Sequence, residues 1–105
     1  MSSLPRCKIT VLKRTIHQDL IDEYLDEAYQ SIGLCECFED GQEVIVRPDE
    51  GMPEGFCAWA WADIRHDVLA VAYGGNIPGM REPGTTITGC TDWCRPVIFG
   101  VERMD

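Results

Sequence analysis

Six cysteines, at positions 7, 35, 37, 57, 90 and 94, are the residues of this chain with the most chemistry to offer. A thiolate is a nucleophile, a redox centre and a soft metal ligand. Cys35, Cys57 and Cys90 each fall at the end of a predicted element: before a strand, at the head of a helix, and at the close of a strand. Loops gather at such ends and sites are usually built there. Read as ligands, these three, with a fourth from Cys37, Cys94, Asp92 or water, would bind zinc or iron in tetrahedral sulfur coordination. The spacings C-x-C at 35–37 and C-x-x-x-C at 90–94 are not the paired C-x-x-C knuckles of a structural zinc site. The same thiols therefore read equally well as small buried apolar side chains. Cys7, in phase with Ile9 and Val11, reads that way most simply.

Cys57 also reads as a catalytic or redox thiol. A sulfur in the first turn of a helix sees the positive end of the dipole, which favours thiolate; Glu54, one turn earlier, opposes this. A nucleophile needs a base, and neither His17 nor His66 is placed by sequence to serve. Cys35 or Cys90 would be the resolving partner.

The elements that must position these residues follow from periodicity. Cys7–Thr15 alternates as a half-buried strand, with Leu12 breaking the polar face as though that end were covered on both sides. Gln18–Ile32 has acidic first turns and an apolar stripe of Leu20, Ile21, Tyr24, Leu25 and Ala28, which predicts a helix stopped at Gly33. Gln42–Arg47 is a second strand, Thr85–Cys90 a third and Arg95–Arg103 a fourth, the last two joined by Thr91–Cys94 as an antiparallel hairpin. Residues 1–6 read as a disordered start. The β-α-β-α-β-β order predicts a single α+β domain, a small, mainly antiparallel sheet with two helices packed on it.

A helix over about Glu54–Tyr73 organises the rest. At about 100° per residue, Cys57, Ala60, Trp61, Ile64, Val68, Val71 and Ala72 share one direction and make a core face. Trp59, His66 and Tyr73 point the other way. That aromatic ridge predicts a covered surface, with a homo-oligomer contact as the preferred cover. Tyr73-Gly74-Gly75-Asn76 follows the helix instead of preceding one, so it reads as a helix stop and not as a phosphate cradle.

Composition narrows the partners. With 105 residues, 45% of them hydrophobic, the chain supports one modest core. A formal net charge of -9 disfavours nucleic acid and anionic membrane, both of which need clustered Lys and Arg. The longest nearly apolar run, Phe56–Ala62, is far short of a membrane span, and the first residues lack a secretory h-region. Free thiols in a reducing cytoplasm are the expectation that follows.

Gly55-Phe56-Cys57-x-Trp59-Ala60-Trp61-x-Asp63-Ile64 and Cys90-Thr91-Asp92-x-x-Arg95-Pro96-Val97-Ile98-Phe99 resemble the motifs of an uncharacterised family of small prokaryotic proteins of about this length. The start, Cys7–Arg14, and the segment Cys35–Val46 resemble it too. The family's three cysteines correspond to Cys35, Cys57 and Cys90, which adds to the case for a shared site. The chain departs from the pattern at Trp93, where the family usually has glycine, and in carrying Cys37 and Cys94. The resemblance implies no particular activity. Three readings stand: a cysteine-ligated zinc or iron or redox site, an acidic interaction or oligomeric module with structural thiols, and a thiol enzyme using Cys57.

Overall fold

The computed structural model describes residues 5–104. It is an α+β fold with the expected β-α-β-α-β-β order: β1 (Cys7–Arg14), α1 (Gln18–Tyr24), β2 (Glu43–Val46), α2 (Ala58–Ala72), β3 (Thr85–Gly89) and β4 (Val97–Arg103). The strands form one antiparallel sheet in the order β2-β1-β4-β3. The two edges are the short β2 and β3, while β1 and β4 carry the apolar alternation and pair with each other through the middle.

The inward residues of β1 and β4 are Cys7, Ile9 and Val11, and Val97, Phe99 and Val101, all essentially fully buried. Against them α2 sets Ala60, Trp61, Ile64, Val68, Val71 and Ala72, the same six the helical wheel selects beside Cys57. Burying one such aliphatic side chain contributes roughly 1.5–3 kcal/mol, so this single helix–sheet interface supplies most of the core. Burial pushes the Cys7 thiol up, against a smaller opposing pull from Arg103. Cys7 is thus a neutral core side chain.

The helix ends where the sequence predicts. Gly74 takes φ 98°, and the Gly75 N–H returns to the Ala70 carbonyl at 2.9 Å. A Cβ at Gly75 would meet that oxygen at 2.6 Å, so only glycine fits. Arg103 then reaches from β4 to donate to the Val71 carbonyl at 2.7 Å, covering the helix C-terminus with a cation.

Three expectations fail locally. The helix expected over about Glu54–Tyr73 begins only at Ala58, because the chain turns through Gly55 at φ 77°, so Cys57 precedes its first turn. The helix predicted over Gln18–Ile32 stops at Tyr24, and a single 3₁₀ turn follows at Glu27–Tyr29. Of its stripe only Ile21 is buried, with Leu20, Tyr24 and Ala28 exposed. A spacing that fits a helix does not hold one beyond seven residues when the stripe finds no surface to bury against. Leu12 is not covered on both sides. The β1–β4 register slips between Val11 and Lys13, and this bulge leaves Leu12 about half exposed, lying over Gly100. Of the predicted disordered start, residues 1–4 lie outside the described residues; the Arg6 carbonyl accepts from the Met104 N–H.

Candidate functional site

Cys37 and Cys57 each stand beside a phenylalanine in sequence. Phe38, beside Cys37, is buried, and so is Phe56, beside Cys57. Their rings meet edge-on with centroids 5.0 Å apart; Phe38 also meets Phe99 at 5.1 Å, and Phe56 meets Trp61 at 5.9 Å. Such pairs contribute about 0.5–1.5 kcal/mol each beyond burial. Because the two phenylalanines pack on each other, the cysteines next to them are brought together from loop and helix. Arg14 fixes the far end of the loop by donating to the Cys35 carbonyl at 3.1 Å, while its Nε donates to Asp40 at 3.2 Å.

Cys57 is the residue immediately before α2, at the N-cap position, with extended backbone and no side-chain bond to the helix amides. Cys90 and Cys94 come from the β3–β4 connection. Asp92 builds that turn: Oδ1 accepts from the Cys94 and Arg95 N–H groups at 3.2 and 3.1 Å, and Oδ2 pairs with Arg95 Nε at 3.3 Å. Asp92, expected as a candidate fourth metal ligand, is thereby committed to the turn. Among the described residues no non-glycine takes a positive φ, so Trp93 sits in the turn without needing glycine's freedom. Cys90 Sγ accepts from the Val97 N–H at 3.3 Å.

The connection is clamped to α2. Asp63 Oδ2 accepts from the Thr91 N–H at 2.7 Å and from its hydroxyl at 2.8 Å, and Trp59 Nε1 donates to the same hydroxyl oxygen at 3.0 Å. One turn further along, Asp67 accepts from the Thr88 hydroxyl at 2.6 Å. Two carboxylates four residues apart on one helix face thus hold the β3 side of the hairpin against α2.

The result is a cavity of about 510 Å³ whose walls include Cys35, Cys37, Cys57, Cys90 and Cys94. All six cysteines of the chain are free thiols, and five of them face this one space. Phe38, Trp59, Ala60, Trp93 and Val97 make up the apolar part of the wall. The Cys37 thiol is pushed up to about 11, first by loss of solvent around the sulfur, then by hydrogen bonding and charge interaction with Cys35 and Cys57. Cys35 and Cys57 are thus the thiol neighbours of Cys37.

The structure therefore brings the sequence-predicted Cys35, Cys57 and Cys90 to one cavity, and Cys37 and Cys94 with them. Among the described residues, no three His, Cys, Asp or Glu side chains stand as a ready ligand set for a metal ion. His66 lies away from the cavity wall and pairs with Asp67 at 3.5 Å. Phe38, Asp63, Thr91 and Arg14 have positioning roles that the sequence reading did not assign. An aromatic residue beside a cysteine, at 37–38, 56–57 and 93–94, was the available signal for the first. No family model, curated protein or solved structure matches the chain.

Proposed function

We propose that the cavity is a thiol redox site in which Cys57 and Cys37 interconvert between dithiol and disulfide, with Cys35 beside them. The observation that carries this is geometric: Cys35 and Cys37 from a loop and Cys57 from a helix head line one cavity, beside the packed rings of Phe38 and Phe56. In the step, both thiols lose a proton and one electron, a sulfur–sulfur bond forms, and a two-electron acceptor is reduced. Cys57, at the head of α2, is the attacking sulfur, and Cys37, on the loop that shares its cavity, is the resolving one. A reducing cytoplasm would keep the resting state as dithiol.

The test is peptide mapping after the anaerobically reduced protein meets one equivalent of a small oxidant. One intramolecular disulfide that includes Cys57 is expected. If every cysteine stays alkylatable, or oxidation joins only separate molecules, the reading fails and a module with structural thiols takes its place.

A second reading, zinc or iron held by Cys35, Cys57 and Cys90 with Cys37 or Cys94, is favoured by the gathering of five thiols on one cavity. It requires the side chains to close up, since no ligand set stands ready among the described residues. Stoichiometric metal, lost on Cys57→Ser and on Cys90→Ser, would establish it.

The Trp59, His66 and Tyr73 face remains our candidate for a homo-oligomer contact. All three residues are exposed. Trp59 bonds to Thr91 at the cavity, and His66 and Tyr73 carry the exposed face on from it. The resemblance to the small prokaryotic family stays a resemblance.

A further inference from the structure

We propose that the cavity takes a flat, uncharged quinone as the electron acceptor for the Cys37–Cys57 pair; this rests on the thiol redox reading above and names the substrate class of the same site.

Size comes first. About 510 Å³ is far more than a bare metal ion fills and lies within the range of small-molecule pockets. The shape of the wall is the second observation. Trp59 and Trp93 border the cavity while keeping 67% and 76% of their surface exposed. Large aromatic faces left open at a cavity are suited to offset stacking on a planar π system. Phe38, Ala60 and Val97 continue the apolar wall.

Charge is the third. The charged residues of the wall are Asp92 and Arg95, and they pair with each other at 3.3 Å in a chain of formal charge -9. The wall therefore has no cation left to match a phosphate or carboxylate, which disfavours nucleotide and anionic peptide oxidants. Chemistry is the fourth. An uncharged planar acceptor of two electrons and two protons is what a dithiol in such a wall can reduce. The two S–H groups give up two protons and two electrons, the S–S bond forms, and both quinone C=O groups become C–OH.

Reduced protein is mixed under argon with tetramethyl-1,4-benzoquinone, whose ring has no open position for thiol addition, so that electron transfer alone is read. Parallel arms use glutathione disulfide and hydrogen peroxide. The expected result is a rate that saturates with quinone, one hydroquinone per Cys37–Cys57 disulfide, and a slower reaction with glutathione disulfide than a free dithiol of similar pKa shows. Trp93→Ala, at an exposed residue, should lower the quinone rate about three- to tenfold relative to the peroxide rate, the loss of one stacking partner. A non-saturating quinone rate, or a Trp93→Ala effect equal in the quinone and peroxide arms, would overturn the proposal. So would a preference for glutathione disulfide. If peroxide or glutathione disulfide forms the disulfide and the quinone does not, the quinone inference falls and the redox reading stands. If none of the three forms it, the redox reading itself falls.

Discussion

Asp63 and Thr91, twenty-eight residues apart, are joined by two hydrogen bonds through one carboxylate oxygen. They bind the helix that carries Cys57 to the connection that carries Cys90. Asp63→Ala should leave the Thr91 N–H and hydroxyl without this acceptor, and hydrogen bonds to a charged group contribute about 1.5–3 kcal/mol. We expect a fall of that order in the unfolding free energy, read from urea titration as a lower midpoint. Alkylation of Cys90 should accelerate more than that of Cys7, read by mass spectrometry of each peptide. Equal acceleration at both sites would mean that the clamp acts only on global stability.

Phe38 is the packing counterpart of that clamp. Phe38→Ala removes a buried ring that meets both Phe56 and Phe99, and such truncations cost about 3–5 kcal/mol. Phe38→Leu, which keeps volume in the core, is the informative variant. It should fold, yet draw Cys37 away from Cys57, and the Cys37 thiol should titrate closer to its ordinary value of 9.0. A pH series of Cys37 alkylation rates makes the comparison.

Alkaline stability depends on the same thiol. Cys37 is raised from 9.0 to about 11, and Cys7 is raised in the same direction by burial. The folded state therefore holds these protons more tightly than the unfolded chain. This contribution is fully present below about pH 9 and is lost as pH climbs through about 11. Thermal midpoints should decline across that window for the wild type and decline less for Cys37→Ser. Identical profiles for the two proteins would remove Cys37 from the account.

On the acid side the loop tether gives a separate expectation. Hydrogen bonds from the Arg14 side chain, and then from its backbone N–H, hold the Asp40 carboxyl below its ordinary 3.8. That contribution is present above 3.8 and disappears as pH falls through the lowered value, freeing Arg14 and with it the Cys35 carbonyl it binds. Amide exchange of the 35–40 loop should rise on acidification past that point. Asp40→Asn should show the faster exchange already at neutral pH.

The proposed subunit contact has its own measurement. Sedimentation equilibrium should report an oligomer that Tyr73→Asp dissociates, since Tyr73 is 70% exposed and its replacement leaves the core intact. A wild-type monomer at all concentrations ends that proposal.

The sequence by itself determined what depends on local periodicity. A helix expected over about Glu54–Tyr73, with six apolar residues on one face, had to lie on a sheet, and the alternation Cys7, Ile9, Val11 in β1 chose the face it would cover. Cys57 at the head of that helix and Cys7 in the core followed from the same periods. Periodicity overstated α1, because helical spacing does not say whether a partner surface exists for the stripe. It was silent about the cavity. The convergence of Cys35, Cys37, Cys57, Cys90 and Cys94 was decided by contacts between residues distant in the chain: Phe38 on Phe56, Asp63 on Thr91, Arg14 on the Cys35 carbonyl. Such pairs leave no periodic trace, since each partner is ordinary in its own segment. Only the folded chain, by packing one ring on another and closing one carboxylate on one threonine, decided that five separate thiols would share one space.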